Sequence, residues 1–103
     1  MTPEIKKSVG EELAFHFLIK KGYKVLLRNY ECALGEIGLI SKQGNELVFS
    51  DVFVDQKPKE TNIKKVASYY IKRYGIKNVP HRFEVVSVSI QPDLEPTVSI
   101  ALA

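Results

Sequence analysis

The sequence predicts an α/β fold: a mixed five-stranded sheet flanked by helices, in the order α-β-β-β-α-β-β. Three observations carry this. Two segments place apolar residues at helical spacing, and five short runs bounded by turn residues read as strands. The run Leu47–Val54 is nearly apolar on both faces, as a strand in the sheet centre is. The second helix separates that run from the next, and a strand–helix–strand unit brings two strands in parallel. The 103 residues suffice for one domain over 1–103 and not for two.

Each element has its own signal. The first helix is expected from about Val9 to Lys21, opened by a Ser8-x-x-Glu11 capping box and closed by Gly22. Leu13, Ala14, Phe15, Phe17, Leu18 and Ile19 fill its apolar arc, with Glu12, His16 and Lys20 opposite. Glu11 falls inside that arc, which suits a cap or a site-facing group. Strands follow over Tyr23–Tyr30, Glu36–Ser41 and Glu46–Val54, the last two joined by the turn signal Gln43-Gly44-Asn45. Asp51 interrupts the apolar third strand and needs partners there. The second helix is expected over Asn62–Tyr74, with Ile63, Val66, Ala67, Tyr70, Ile71 and Tyr74 inward. Arg82–Ile90 and the alternating Thr97–Ala103 complete the sheet.

Composition narrows the function classes. A 45% hydrophobic content suits a globular chain. No apolar run approaches the ~20 residues of a membrane helix. Met1–Lys7 has no signal-peptide core, so the expected location is cytoplasmic, without a membrane partner. Cys32 is the single cysteine, which leaves no internal disulfide and no Cys-based zinc site. It is expected to be a reduced, buried or half-buried thiol.

Net charge is +3, but its distribution is uneven. Lys57, Lys59, Lys64, Lys65, Lys72, Arg73, Lys77 and Arg82 share the stretch 57–82 with one acid, Glu60. That stretch carries +7 and leaves −4 for the rest. Such a stripe suits phosphate binding, and it also suits an ordinary solvated helix face.

The pieces Gly10-Glu11-x-x-Ala14, Gly22-Tyr23, Arg28-Asn29-Tyr30 and Gly35-Glu36-Ile37-x-Leu39-Ile40 are distinctive in combination. With Leu47-Val48-Phe49 and Arg82-Phe83-x-Val85-Val86, they resemble the YraN family of small bacterial proteins. The resemblance covers nearly the whole chain. It implies likeness to Holliday-junction resolvases, a restriction-endonuclease-like fold and, in typical members, a metal-dependent PD-(D/E)xK nuclease site. Where the family has Gly-Glu-Ile-Asp, this chain has Gly35-Glu36-Ile37-Gly38. Where the family has Phe-Val-Glu-Val-Lys, it has Phe49-Ser50-Asp51-Val52-Phe53, and Asp55 replaces a frequent Arg. Arg82-Phe83-Glu84 departs only mildly from Arg-Phe-Asp.

Those departures bear on chemistry. Phosphodiester hydrolysis of this type needs Mg²⁺ to activate water and neutralise charge, held by oxygen ligands at ~2.0–2.1 Å. Gly38 offers no ligand, and Phe53 replaces a cation with an apolar ring. Glu36 sits ~6.6–6.8 Å along the strand from position 38, too far to substitute. The surviving acids Glu11, Glu36 and Asp51 are therefore read as vestigial catalytic positions. No resident metal or other cofactor is expected; Mg²⁺ enters only if a relocated site uses those three acids. Phe53 is expected to fill the space at Gly38 and close the site. His16 and His81 are expected at the surface. Of the tyrosines on the second helix, Tyr70 and Tyr74 fit the core stripe, and Tyr69 alone is free to stack on a base.

The reading is a pseudo-nuclease that binds nucleic acid, DNA by analogy, through Lys57, Lys59, Lys64, Lys65, Lys72, Arg73 and Arg82. Two alternatives stand beside it. One is a metal-dependent endonuclease acting on branched DNA with a moved site. The other is a protein-interaction module or homodimer, paired through the Thr97–Ala103 edge.

Overall fold

The computed structural model describes residues 1–103. It contains α1 (Pro3–Lys20), β1 (Lys24–Cys32), β2 (Gly35–Gln43), β3 (Glu46–Val54), α2 (Ile63–Arg73), β4 (His81–Ser89) and β5 (Thr97–Leu102). The strands form one sheet in the order β1-β2-β3-β4-β5, with β3 central. Only β3 and β4 run parallel; every other neighbouring pair is antiparallel. This is the element order the sequence predicts, and it is compatible with an α/β nuclease-like fold. No helix is long and apolar enough to cross a membrane.

Helix α1 starts six residues earlier than expected. Thr2 is its N-cap, accepting the Ile5 amide at 3.2 Å, and Pro3 occupies the first turn. A proline at that position gives up only an amide that the helix would leave unpaired. Ser8 and Glu11 therefore lie inside the helix and form no capping box. The extra turn and a half brings Lys6 and Lys7 over the end of β3.

Gly10 sets how closely α1 approaches. A methyl group there would lie 2.4 Å from Val54 Cγ2 and 2.7 Å from Val54 Cγ1. Val54 is β-branched and has little rotamer freedom to yield. Gly10→Ala is expected to destabilise the protein by about 1–3 kcal/mol, the usual cost of overpacking. A lowered thermal midpoint checks this. An unchanged midpoint would mean that α1 is not held against β3 at this point.

The sheet buries an apolar layer on each face. Leu39, Val48, Val86 and Val88 pack with Ala14, Leu18 and Tyr23 on the α1 face. Ile37, Ile40, Leu47 and Phe49 pack with Ile63, Val66, Ala67 and Tyr70 on the α2 face. Tyr74, expected in the core stripe, is instead 57% exposed. It is the C-cap residue of α2, and the helix geometry that would turn it inward ends there.

The β1–β2 hairpin is longer and less regular than the sequence suggests. Cys32 pairs with Gly35 across a two-residue turn, Ala33-Leu34, that carries none of the usual turn residues. Arg28 pairs with Leu39 and Tyr30 with Ile37, and between them Asn29 takes φ +54. Gly38 lies across from Asn29. Below this point Leu39 joins the α1 layer, while above it Ile37 and Tyr30 turn to the α2 layer. A glycine inside a strand often marks such an irregularity. Gly35, at φ +144, has its missing side chain 3.2 Å from Val66, so the hairpin tip lies directly against α2.

A polar network anchors the other end of β3. Arg82 Nε donates to Glu84 Oε2 at 3.1 Å, and Nη2 donates to Gln43 Oε1 at 2.5 Å and to the Tyr23 hydroxyl at 3.2 Å. Nη1 pairs with Glu46. Tyr23 in turn donates to Glu84 at 2.9 Å. Burial opposes the charge on Arg82, but hydrogen bonds to Tyr23, Glu84 and Glu46 outweigh it and hold the guanidinium protonated. The network joins the starts of β1, β3 and β4 to the end of β2.

Candidate nucleic-acid interface

The β2–β3 ladder ends at Leu39↔Ser50. Beyond it β3 stays paired with β4 as far as Val54↔Val88. β2 and β3 thus part company where Gly38 and Asp51 stand, and a cleft of about 330 Å³ opens between them. Lys7 and Glu11 of α1 line one side, Glu36 and Gly38 another, and the segment carrying Gln56, Lys59, Thr61 and Asn62 a third. Phe53 and Val52 also face it.

The expectation of a closed site is therefore corrected. Phe53 is buried, but the cleft remains open beside it. The group over Gly38 is Val52, whose Cγ2 would lie 3.0 Å from a Cβ at that position. The separation of the strands, which no local sequence signal reports, keeps the space open.

All three predicted acids, Glu11, Glu36 and Asp51, line this cleft. They do not converge: no group of three or more His, Cys, Asp or Glu side chains is placed to hold a metal ion. Asp51 is half-buried and accepts a hydrogen bond from Thr61 Oγ1 at 2.5 Å. An acid in this strand is expected to be buried and bonded to backbone or to a lysine; the partner is instead the Thr61 hydroxyl, and the residue is only half-buried. Mg²⁺ demands several well-placed oxygen ligands, and these residues do not fit that requirement.

Asp51 and Asp55 are perturbed in opposite directions. Burial pushes the Asp51 carboxyl above the ordinary 3.8, the Thr61 hydrogen bond opposes the rise, and the charge of Glu36 adds to it. Asp55 is held below 3.8, first by its hydrogen bond to Lys6 and then by the Ile90 amide. The Lys6 ammonium lies 2.6 Å away and the Ile90 amide 2.9 Å. Asp55 thus ties the start of α1 to the end of β4.

These directions give a test by linkage. For Asp51 the native state holds the proton more tightly than the unfolded chain, so stability is lost as pH rises through its native pKa. Asp51→Asn is expected to gain stability over the parent at neutral pH and to show no gain below 3.8. For Asp55 the native state favours the ionised form, so its contribution is present above 3.8 and lost in acid. Asp55→Asn is expected to be less stable at neutral pH, with the deficit fading in acid. Thermal midpoints measured from acid to neutral pH check both; parallel trends would contradict the assignment.

The basic residues divide into groups. Lys59, Lys64 and Lys65 line a second groove, about 430 Å³, that shares Asp51, Thr61 and Asn62 with the cleft. All three lysines are exposed and none is in an ion pair. Lys57 lines a separate hollow with Ser87 and Ser89. Lys72 and Arg73 lie in the last turn of α2. Arg82 is diverted: its donors serve Glu46, Glu84, Gln43 and Tyr23, leaving the guanidinium committed within the fold. Lys7 joins the set, and sequence reasoning misses it because it starts the helix too late. The Thr2-Pro3 pair is the available signal.

The comparisons with known proteins agree with the sequence resemblance. The family model described as "Uncharacterised protein family UPF0102" matches residues 10–88. A UPF0102 protein of Caldicellulosiruptor saccharolyticus is 40% identical, over 77% of this chain and 77% of its own. A UPF0102 protein of Caldanaerobacter subterraneus subsp. tengcongensis is 35% identical over 84% and 80%. One from Clostridioides difficile is 35% identical over 85% and 88%. The chain belongs to the UPF0102 family, which is the YraN family.

Proposed function

We propose that this protein is a nuclease-derived module that binds nucleic acid by its phosphates and does not cut it. The observation that carries the reading is the pairing of two features in one place. Lys7, Lys59, Lys64 and Lys65 surround a continuous cleft and groove. The acids in the same cleft do not assemble into a metal site.

Free ammonium groups around a concave surface suit a polyanion. Bonds to phosphate position a nucleic acid without reading its sequence, so little base preference is expected. Lys7 and Lys59 stand where β2 leaves β3, and Lys64 and Lys65 line the adjoining groove. DNA is the expected ligand by analogy with the resolvase-like family frame.

The test for catalysis is incubation of branched and duplex DNA with the protein in Mg²⁺ or Mn²⁺, followed by strand analysis on a denaturing gel. Intact strands are the expected result. Cuts that require the metal and vanish in Asp51→Ala would overturn the inactive reading.

A further inference from the structure

The lysine groove continues into a second kind of surface. On α2, Tyr69 lies four residues after Lys65 and three and four before Lys72 and Arg73. At that spacing these side chains share one helix face. Tyr69 is 43% exposed, and Tyr74, at the helix end, is 57% exposed. Tyr69 therefore stands among cations on a face that begins at the groove, and Tyr74 lies at the end of α2, about 140° further round the axis.

The ring at the helix end is braced. Tyr74 packs against Tyr70 with centroids 4.9 Å apart, and the Arg73 guanidinium lies 5.5 Å from the Tyr74 ring centre. Tyr70 is itself held edge-on by Tyr30 at 5.2 Å and by Phe49 at 6.0 Å. A ring fixed in this way loses little freedom when a flat partner stacks on it.

We propose that this face and the end of α2 take unpaired bases: the lysines follow the backbone of a single strand while Tyr69, on the face, and Tyr74, at the helix end, stack on its bases. Aromatic rings interleaved with cations are what binding of single strands without sequence preference requires, because every base presents a π-face. Duplex DNA keeps its bases stacked inside and can use only the lysines. The proposal rests on the phosphate-binding reading and adds a preference for single-stranded segments.

The experiment compares three fluorescein-labelled probes in EDTA: oligo(dT), an abasic oligonucleotide of equal length, and a duplex with the same number of phosphates. Wild type is expected to bind oligo(dT) more tightly than the abasic strand. Tyr69→Ala and Tyr74→Ala are each expected to weaken oligo(dT) binding by about fivefold or more. Binding of the abasic strand and duplex should be unchanged in both variants, and Tyr69→Phe should retain full affinity. Equal affinity of wild type for oligo(dT) and the abasic strand would overturn the proposal. Parallel losses on all three probes would also overturn it. Either result leaves the phosphate-binding reading standing, whereas failure of wild type to bind any probe removes both.

Discussion

Reversing Lys59, Lys64 and Lys65 to glutamate is expected to abolish nucleic-acid binding at moderate salt while the thermal midpoint stays close to wild type. The three ammonium groups are exposed and form no ion pair, and Lys64 alone among them lies near an aromatic ring, 5.8 Å from the centre of Phe83, so the fold depends little on them. They line one groove, so the variant replaces three attractive charges with three repulsive ones at a single surface. Each lysine–phosphate pair removed should also reduce the slope of log affinity against log salt by about 0.9 for duplex DNA. A milder Lys59→Ala, Lys64→Ala, Lys65→Ala variant should therefore retain some binding with a slope shallower by roughly 2.7. Reversal of the three charges without effect would place the interface elsewhere.

Arg82→Ala is expected to cost about 3 kcal/mol, because it leaves Glu84 buried without its cation. Glu84 is only 5% exposed. For a chain of this size that loss corresponds to a drop in the thermal midpoint of roughly 12–20 °C. Adding Glu84→Gln should recover part of it, since an amide can still bond Tyr23 and leaves no charge to solvate. The recovery distinguishes an unpaired buried charge from simple loss of packing. Independent, additive losses in the two single variants would mean that the pair does not interact as the distances suggest.

These two expectations give opposite roles to residues that look alike in the sequence. Arg82 and Lys64 both belong to the basic stretch 57–82, and composition does not separate them. The difference lies in register. Parallel pairing sets Arg82 beside Val48 and Glu84 beside Ser50 on the α1 face, where Tyr23, Gln43 and Glu46 can reach them. Such long-range pairing has no local signature.

The fold is largely legible in the sequence. Strand β3 has the bounds its composition predicts, because an apolar run between Asn45 and Asp55 leaves little choice. The parallel β3–β4 pairing follows from the intervening helix. The early start of α1 is harder to read, because a glycine in the middle of the segment and an apparent capping box suggest a later beginning. Thr2-Pro3 is the better signal, and overlooking it removes Lys7 from the site. The two-residue Ala33-Leu34 turn is hidden for lack of turn residues.

Of the candidate cleft, the sequence places three acids but neither the shape nor the full set of basic residues. Glu11, Glu36 and Asp51 do face one cleft, as their positions in the motif imply. That they fail to cluster depends on the divergence of β2 from β3 and on the reversal of the hairpin at Asn29 and Gly38. Side chains alternate with a period of two only along a regular strand, and β2 is not regular at Gly38. The same divergence explains why Phe53 leaves the cleft open.

Whether the lysine-lined groove holds a nucleic acid by its phosphates is decided by a salt titration of binding to labelled branched, duplex and single-stranded DNA, performed in EDTA. Phosphate binding requires that all three forms bind at low salt and that affinity falls steeply and linearly on logarithmic axes, as counterions are released. No binding to any of them at low salt would contradict it and shift the weight to a role in protein association.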